Sequence, residues 1–475
     1  MSQAETTDQQ PALKRVMGPG LLLLFIVGDI LGTGVYALTG DVAAEVGGAA
    51  WVPFLVAFLI ATVTAFSYLE LVTKYPQAAG AALYAHKAFG IQFVTFLIAF
   101  VVMCSGITSA STASRFFGSN LVEGFGLEWG KTGIVITALL FMAMLAAVNL
   151  RGVGESVKLN VFLTIIEATG LMLVLFVGLW AFTRGGDVDF ARVVAFDTDT
   201  DKSTFMAVTA ATSLAFFAMV GFEDSVNMAE ETKDPAKTFP KVLLSGLTIA
   251  GIIYILVAIV AVALVPVGTL AESETPLVEV VKAGAPGLPI DDIFPFISMF
   301  AVSNTALINM LMASRLIYGM ARQHVLPPVL GKVHPSRLTP WVAILFTTVI
   351  AFGLIFYVTA FANDKAISLL GGTTSLLLLA VFAVVNVAVL VLRRDVKQTG
   401  GNFKTPTVLP IVGFLTSLYL VTPLSGRPSQ QYLLAGILVV IGIVLFFITM
   451  VINRRVGVQD AGIKDPTRLG EAPKE

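Results

Sequence analysis

Cysteine is nearly absent from this 475-residue chain. Cys104 stands alone, so the chain can form neither an internal disulfide nor a cysteine-based metal site. Charge is scarce as well: Asp, Glu, Lys and Arg make up 13% of residues, where a soluble globular protein carries about 25%. With 56% hydrophobic residues, that shortage excludes soluble globular, disordered and disulfide-rich secreted classes. The net charge of −1 leaves no basic excess, so no nucleic-acid partner is expected. The three histidines, His86, His324 and His334, fall in polar connections without ligand spacing, and no nucleophile–base pair accompanies them. A membrane-embedded enzyme, a metal site and a cofactor are therefore not expected.

Long apolar runs are abundant instead. A membrane helix needs about 20 such residues, and uncharged runs at 46–69, 88–114, 132–150, 242–271, 293–314, 338–363, 366–392 and 433–453 supply them. The run 405–426 is uncharged but carries Pro406, Pro410 and Pro423. Three further runs hold acids: Asp29 in 16–40, Glu167 in 159–183, and Glu223 with Asp224 in 203–229. The pattern predicts an all-α polytopic membrane protein of 12 transmembrane helices, since barrel strands would alternate and stop near 11 residues. Polar residues and Lys14–Arg15 precede the first run, which lacks a cleavage motif and is expected to remain as helix 1. Counted on alternate sides of these spans, 22 basic residues fall on one side and 8 on the other. The positive-inside rule then predicts cytoplasmic N- and C-termini in the plasma membrane.

Two spans are interrupted. Helix 1 reads Gly28-Asp29-Ile30-Leu31-Gly32-Thr33-Gly34, and five spans later comes Phe216-Phe217-Ala218-Met219-Val220-Gly221-Phe222-Glu223-Asp224. An acid at mid-bilayer costs about 2.5–3.5 kcal/mol on insertion scales, and unwound backbone survives there only where protein or a watery cavity surrounds it. Corresponding breaks in two successive five-helix units point to a transporter built from inverted repeats. The expected divisions are a tail 1–15, a first repeat 16–183, a second repeat 203–394, an appended pair 404–453 and a tail 454–475. Amides freed at Thr33 and Gly34 suit a carboxylate, and carbonyls near Phe216–Ala218 suit an ammonium, so a zwitterion fits between them.

These residues resemble the amino acid–polyamine–organocation superfamily of permeases, most closely prokaryotic amino acid permeases related to cationic amino acid transporters. The likeness rests on Gly28 through Tyr36; on Tyr68-Leu69-Glu70-Leu71 with Tyr75 through Tyr84; on Ala215–Glu223 with Ala229 through Pro235; and on Ser314 through Arg322 with Leu326-Pro327. It implies a leucine-transporter-like 5+5 inverted repeat with discontinuous helices 1 and 6, plus two extra helices, working by alternating access. It implies an amino acid or amine substrate held by Gly32, Thr33 and Gly34 at its carboxylate, with Phe216, Ala218 and Gly221 near its amine and side chain; Phe222 is a further candidate of the substrate site, as a gate. Coupling to protons is expected, with sodium or a counter-substrate as alternatives.

Three positions depart from the family pattern. Asp29 stands where a small or apolar residue is usual, Glu167 replaces a helix-5 lysine, and Asp224 replaces a neutral residue. Asp29 is a candidate for direct contact with a cationic substrate, for proton transfer, or for capping the unwound backbone. Glu167 and Glu223 are the other proton-coupling candidates, and Glu223 is preferred to Asp224 as the acid facing the pathway. The sequence thus predicts proton-coupled import of an amino acid, basic or amine substrates being favoured. An amino acid/polyamine exchanger is the alternative. Glu70 reads as a structural or gate acid and Glu230 and Glu231 as interfacial partners. The small polar residues of Ser105–Ser114 and Ser298–Asn309 read mostly as helix bridges.

Overall fold

A computed structural model describes residues 17–77, 80–122, 125–151, 156–184, 188–196, 202–229, 232–286, 290–337, 339–361, 365–394 and 403–456. Glu230, Glu231, the tail 1–15 and residues 457–475 lie outside the described residues.

The described residues form α-helices and short 3-10 turns, joined by one isolated bridge between Met17 and Thr232. The N-terminal run divides into α1 (Pro19–Ile30), with proline in its first turn, and α2 (Thr33–Val46). Proline fits there because the first-turn N–H groups have no intrahelical acceptor. Then come α3 (Trp51–Lys74), the short α4 (Gly80–Phe89), α5 (Gln92–Val122), α6 (Gly130–Arg151) and α7 (Ser156–Arg184). After it, α8 (Thr204–Ala215) leads into 3-10 turns at Phe216–Met219 and Asp224–Met228, and α9 (Pro235–Leu264) follows. Two short helices, α10 (Val267–Glu272) and α11 (Pro276–Gly284), precede α12 (Ile290–Arg322), α13 (Trp341–Phe361) and α14 (Ala366–Leu392). The last two are α15 (Val408–Val421) and α16 (Ser429–Val456).

Among the described residues, 11 helical stretches are long and apolar enough to cross a membrane. The one expected span missing from that count, the run 405–426, corresponds to α15, which has only 14 residues. At 1.5 Å per residue that is about 21 Å, short of a hydrocarbon core of about 30 Å. Its ends are set by Pro406 on one side and the 3-10 turn Pro423–Ser425 on the other. The third span is longer than the uncharged run suggests. It continues past residue 114 to Val122 and takes Arg115, one of the 8 basic residues on the sparser side of that count, into the protein at 1% exposure. His86 likewise belongs to α4 rather than to a loop.

The central helix is α5, packed against α4, α6, α12, α13, α14 and α16. Leu140, Phe176 and Phe356 project outward at 66%, 68% and 65% exposure. So much exposed apolar surface belongs in lipid. This is a multi-pass membrane protein.

Candidate functional site

Helix 1 unwinds at Leu31–Gly32, and α2 begins at Thr33 with Gly32 as its N-cap and no side chain capping it. The first amides of α2 therefore lack intrahelical acceptors. Thr33 is buried and its hydroxyl has no partner. On the other side of the break, Tyr254 donates a hydrogen bond to the carbonyl of Ile30. Tyr36 donates to the backbone carbonyl of Glu167 at 2.8 Å, tying α2 to α7.

The second break meets the first. A Cβ on Gly34 would fall 2.4 Å from Cα of Ala218, so only glycine lets the two backbones touch. Gly221 has φ +123°, and a Cβ there would lie 2.7 Å from the carbonyl of Asp29. Its neighbours are also close-packed: Gly28 faces Thr164 of α7, and Gly32 faces Thr305 of α12. The structure thus brings Asp29, Gly32, Thr33, Gly34, Ala218 and Gly221 together. Phe216 and Phe222 are placed differently, in a buried aromatic cluster with Phe382 and Tyr68. Ring separations of 5.4 Å between Phe222 and Phe382 and 5.8 Å between Phe222 and Tyr68 define its packing.

Four acids surround the crossing. Asp29 lies within electrostatic reach of Asp224, Glu223 and Glu167. Glu167 has no exposed surface, and neither carboxyl oxygen has a partner. Asp29 is 4% exposed, with Oδ2 unpartnered. Thr164 and Thr305 hydroxyls are buried and unpartnered beside the break. Glu223 behaves as a cap: its Oε2 accepts the Gly221 amide at 2.9 Å. Both Glu223 and Asp224 border a narrow crevice of about 50 Å³. Tyr68, Ser105, Gly106, Asn227, Asn309 and Thr374 also line it. Its lining includes Tyr68 of α3, Asn227 and Leu316 of α12, each six residues before Lys74, Lys233 and Arg322, so it lies toward the ends of the helices that carry those cations. Gly32, Thr33, Gly34 and Asp29 are not in its lining, so the hollow reaches the second break and stops short of the first.

The polar residues of α5 divide as their geometry dictates. Ser111, Thr112 and Ser114 donate to carbonyls four residues back, a way of satisfying hydroxyls inside a helix, while Ser105 borders the crevice. On the opposite side of the breaks, α10 and α11 lie against α2, where Gly40 meets the Leu270 carbonyl and Pro276. Arg115 pins the linker between them through paired bonds of 2.7 and 2.8 Å to Glu274, and Ser119 donates to the same carboxylate. On the basic side, Glu70 is held by Arg393 at 2.7 and 2.6 Å and by the Thr405 amide, tying α3 to the end of α14. That pairing holds the Arg393 guanidinium above its ordinary range. Sequence reading missed Arg115 and a second buried cation, Arg427. A signal for Arg115 was present, since the Ser/Thr-rich helical pattern runs on through Ser119 and Asn120.

The profile of the family described as amino acid permease matches residues 21–453. The chain belongs to the amino acid permease family. It is similar to the methylthioribose transporter of Bacillus subtilis, 25% identical with 93% of this chain and 94% of that protein covered. The branched-chain amino acid permease BcaP of the same organism is 25% identical over the same shares. Cationic amino acid transporter 9, chloroplastic, of Arabidopsis thaliana is 28% identical over 68% of this chain and 58% of its own length. Family and fold together make this a membrane protein of amino acid transport. Among the described residues, no group of three or more His, Cys, Asp or Glu is placed to hold a metal ion.

Proposed function

We propose that this chain is a secondary active transporter that imports amino acids across the plasma membrane by alternating access, coupled to protons. The observation that carries the reading is the contact of two helix breaks, Gly34 on Ala218 and Gly221 on Asp29, beside unpartnered buried carboxyls. The amides of Thr33 and Gly34 would take the substrate carboxylate, and the end of α8 its ammonium. The chain order supports a 5+5 inverted repeat. Each set of five has short helices after its second span, α4 in the first and α10–α11 in the second. In this reading α15 is the eleventh of twelve spans, lengthened by its flanking turns, α16 is the twelfth, and both termini lie in the cytoplasm with the basic side. The crevice on that side then describes an inward-facing conformation.

The relatives' names cover a thioether sugar, branched-chain and cationic amino acids, so selectivity must come from this chain's own residues. Asp29, Glu223 and Asp224 favour a basic or amine-bearing substrate. Glu167 is the coupling group. A buried carboxyl with neither oxygen satisfied is suited to taking up and releasing a coupling ion.

The test is uptake into proteoliposomes of labelled arginine, leucine and alanine, competed by a full amino acid panel. An inside-alkaline gradient is expected to drive accumulation, and Glu167→Gln to abolish that accumulation while leaving substrate counterflow. Accumulation by Glu167→Gln equal to the parent overturns the coupling role. A strict sodium requirement overturns proton coupling, and uptake only against a preloaded counter-substrate selects the exchanger.

A further inference from the structure

Arg427 lies in the turn between α15 and α16 and is 6% exposed. Among the described residues no carboxylate pairs with it. Its whole fork is nevertheless used, on neutral oxygens: Nε donates to the Leu420 carbonyl at 2.6 Å, and Nη1 to the Gly372 carbonyl and Gln431 Oε1, each at 2.9 Å. Nη2 donates to Ser375 Oγ at 2.8 Å and to the Ser213 carbonyl at 3.3 Å. Leu420 is in the last turn of α15 and Ser213 in the last turn of α8. Last-turn carbonyls lack intrahelical donors, and each helix end carries roughly half a negative charge. Two helix ends therefore do for this guanidinium what a carboxylate does elsewhere.

The surrounding turn is built to hold the arginine there. Gly426, at φ +81°, turns the chain against Met206 and Ala210 of α8, and Thr209 donates to the Ser425 carbonyl at 3.2 Å. A Cβ on Gly372 would lie 2.0 Å from Gln431 Nε2, so it would push aside the amide side chain that accepts from Arg427. Ser375 also donates to the Ser213 carbonyl, at 2.5 Å, so α8, α14 and the turn meet at one point. Two residues beyond Ser213, α8 ends and the segment that touches Gly34 begins.

We propose that Arg427 is a positioning residue: it fixes the broken end of α8 against α14 and thereby sets where Phe216–Gly221 stands relative to the first break. The turn before α16 is then a working part of the transport machinery and not a lipid-side appendage. Its effect on substrate rests on the reading of α8's end as half of the substrate site; its effect on the segment itself does not.

Arg427→Met and Arg427→Lys test this in the purified full-length protein. Hydrogen exchange of amides 209–221 is expected to speed about tenfold in Arg427→Met, with α5 and α6 unchanged. Lysine keeps the charge but not the planar fork, so Arg427→Lys falls in between, and it carries the same test if the methionine variant does not purify. In proteoliposomes, KM for whichever of labelled alanine, leucine or arginine is carried rises about tenfold in Arg427→Met with Vmax within about twofold, and Arg427→Lys recovers part of the loss. Parental exchange at 209–221 overturns the proposal. So does acceleration spread evenly over the protein, which makes Arg427 a general folding determinant, or local acceleration with KM unchanged. If the parent carries none of the three amino acids, the transport reading is what fails, and the exchange result still decides what Arg427 holds.

Discussion

Asp29 and Glu167 differ in what surrounds them, and that difference separates their roles. Asp29 lies in the last turn of α1, just before the unwound Leu31–Gly32, with its own carbonyl against Gly221, which in the proposed site puts it at the edge of the space between the breaks. Glu167 sits one helix away, on α7, beneath the Tyr36 hydroxyl bond. Asp29→Asn is expected to weaken competition by arginine about tenfold or more, the worth of one charge-assisted hydrogen bond, and to leave competition by leucine within about twofold. Competition curves on the same vesicles check it, and equal losses for both substrates remove Asp29 from the side-chain subsite. Arg115 shows a different use of buried charge. Removing one member of such a pair leaves the other uncompensated at a cost of about 3–5 kcal/mol, whereas replacing both with apolar groups of similar size is often neutral. Arg115→Ala should therefore lower the thermal midpoint in detergent more than the double variant Arg115→Met, Glu274→Leu does.

At the scale of elements, the breaks in helices 1 and 6 are contacts as much as interruptions. Each glycine that the sequence places there has a named neighbour: Gly28 has Thr164, Gly32 has Thr305, Gly34 has Ala218 and Gly221 has Asp29. Gly34→Val must force α2 away from the 3-10 turn Phe216–Met219. Transport is expected to fall at least about a hundredfold, because small displacements of reacting or binding groups cost that much, while the protein still purifies as a monodisperse species. Parental uptake by Gly34→Val would mean that the two breaks separate freely in the working protein. Glu223 acts locally at this scale, its carboxylate taking the Gly221 amide and closing the turn. That leaves Asp224, the partly exposed neighbour, as the acid more open to the crevice.

Across the whole molecule, the two sides of the crossing are unequal. One side is filled by α10 and α11, pinned by Arg115 and Glu274 over α2. The other holds the crevice, with Asn227 and Asn309 on its wall. In a protein whose lone native cysteine, Cys104, is buried, Asn227→Cys should react with a membrane-impermeant maleimide from the basic side. Transportable substrate should slow the labelling. Labelling of Asn227→Cys only from the side of Arg192 and Lys202 would overturn the reading that the crevice opens to the basic side.

The apolar runs, the scarcity of charge and the two glycine-and-acid interruptions were enough to establish a many-span helical bundle and to place both breaks within a few residues. These features follow from solvent: a bilayer tolerates neither free charge nor free backbone, so violations are visible in a linear string. Partnership is not visible there. Arg115 and Arg427 read as two more surface cations, because nothing in one dimension says that Glu274 lies 159 residues away in sequence yet at 2.7 Å, or that two helix ends converge on a single guanidinium. The offset of the crevice from Gly32–Gly34 has the same origin. Hydropathy fixes which residues lie within the membrane, while only the packing of one helix on another decides which of them enclose space.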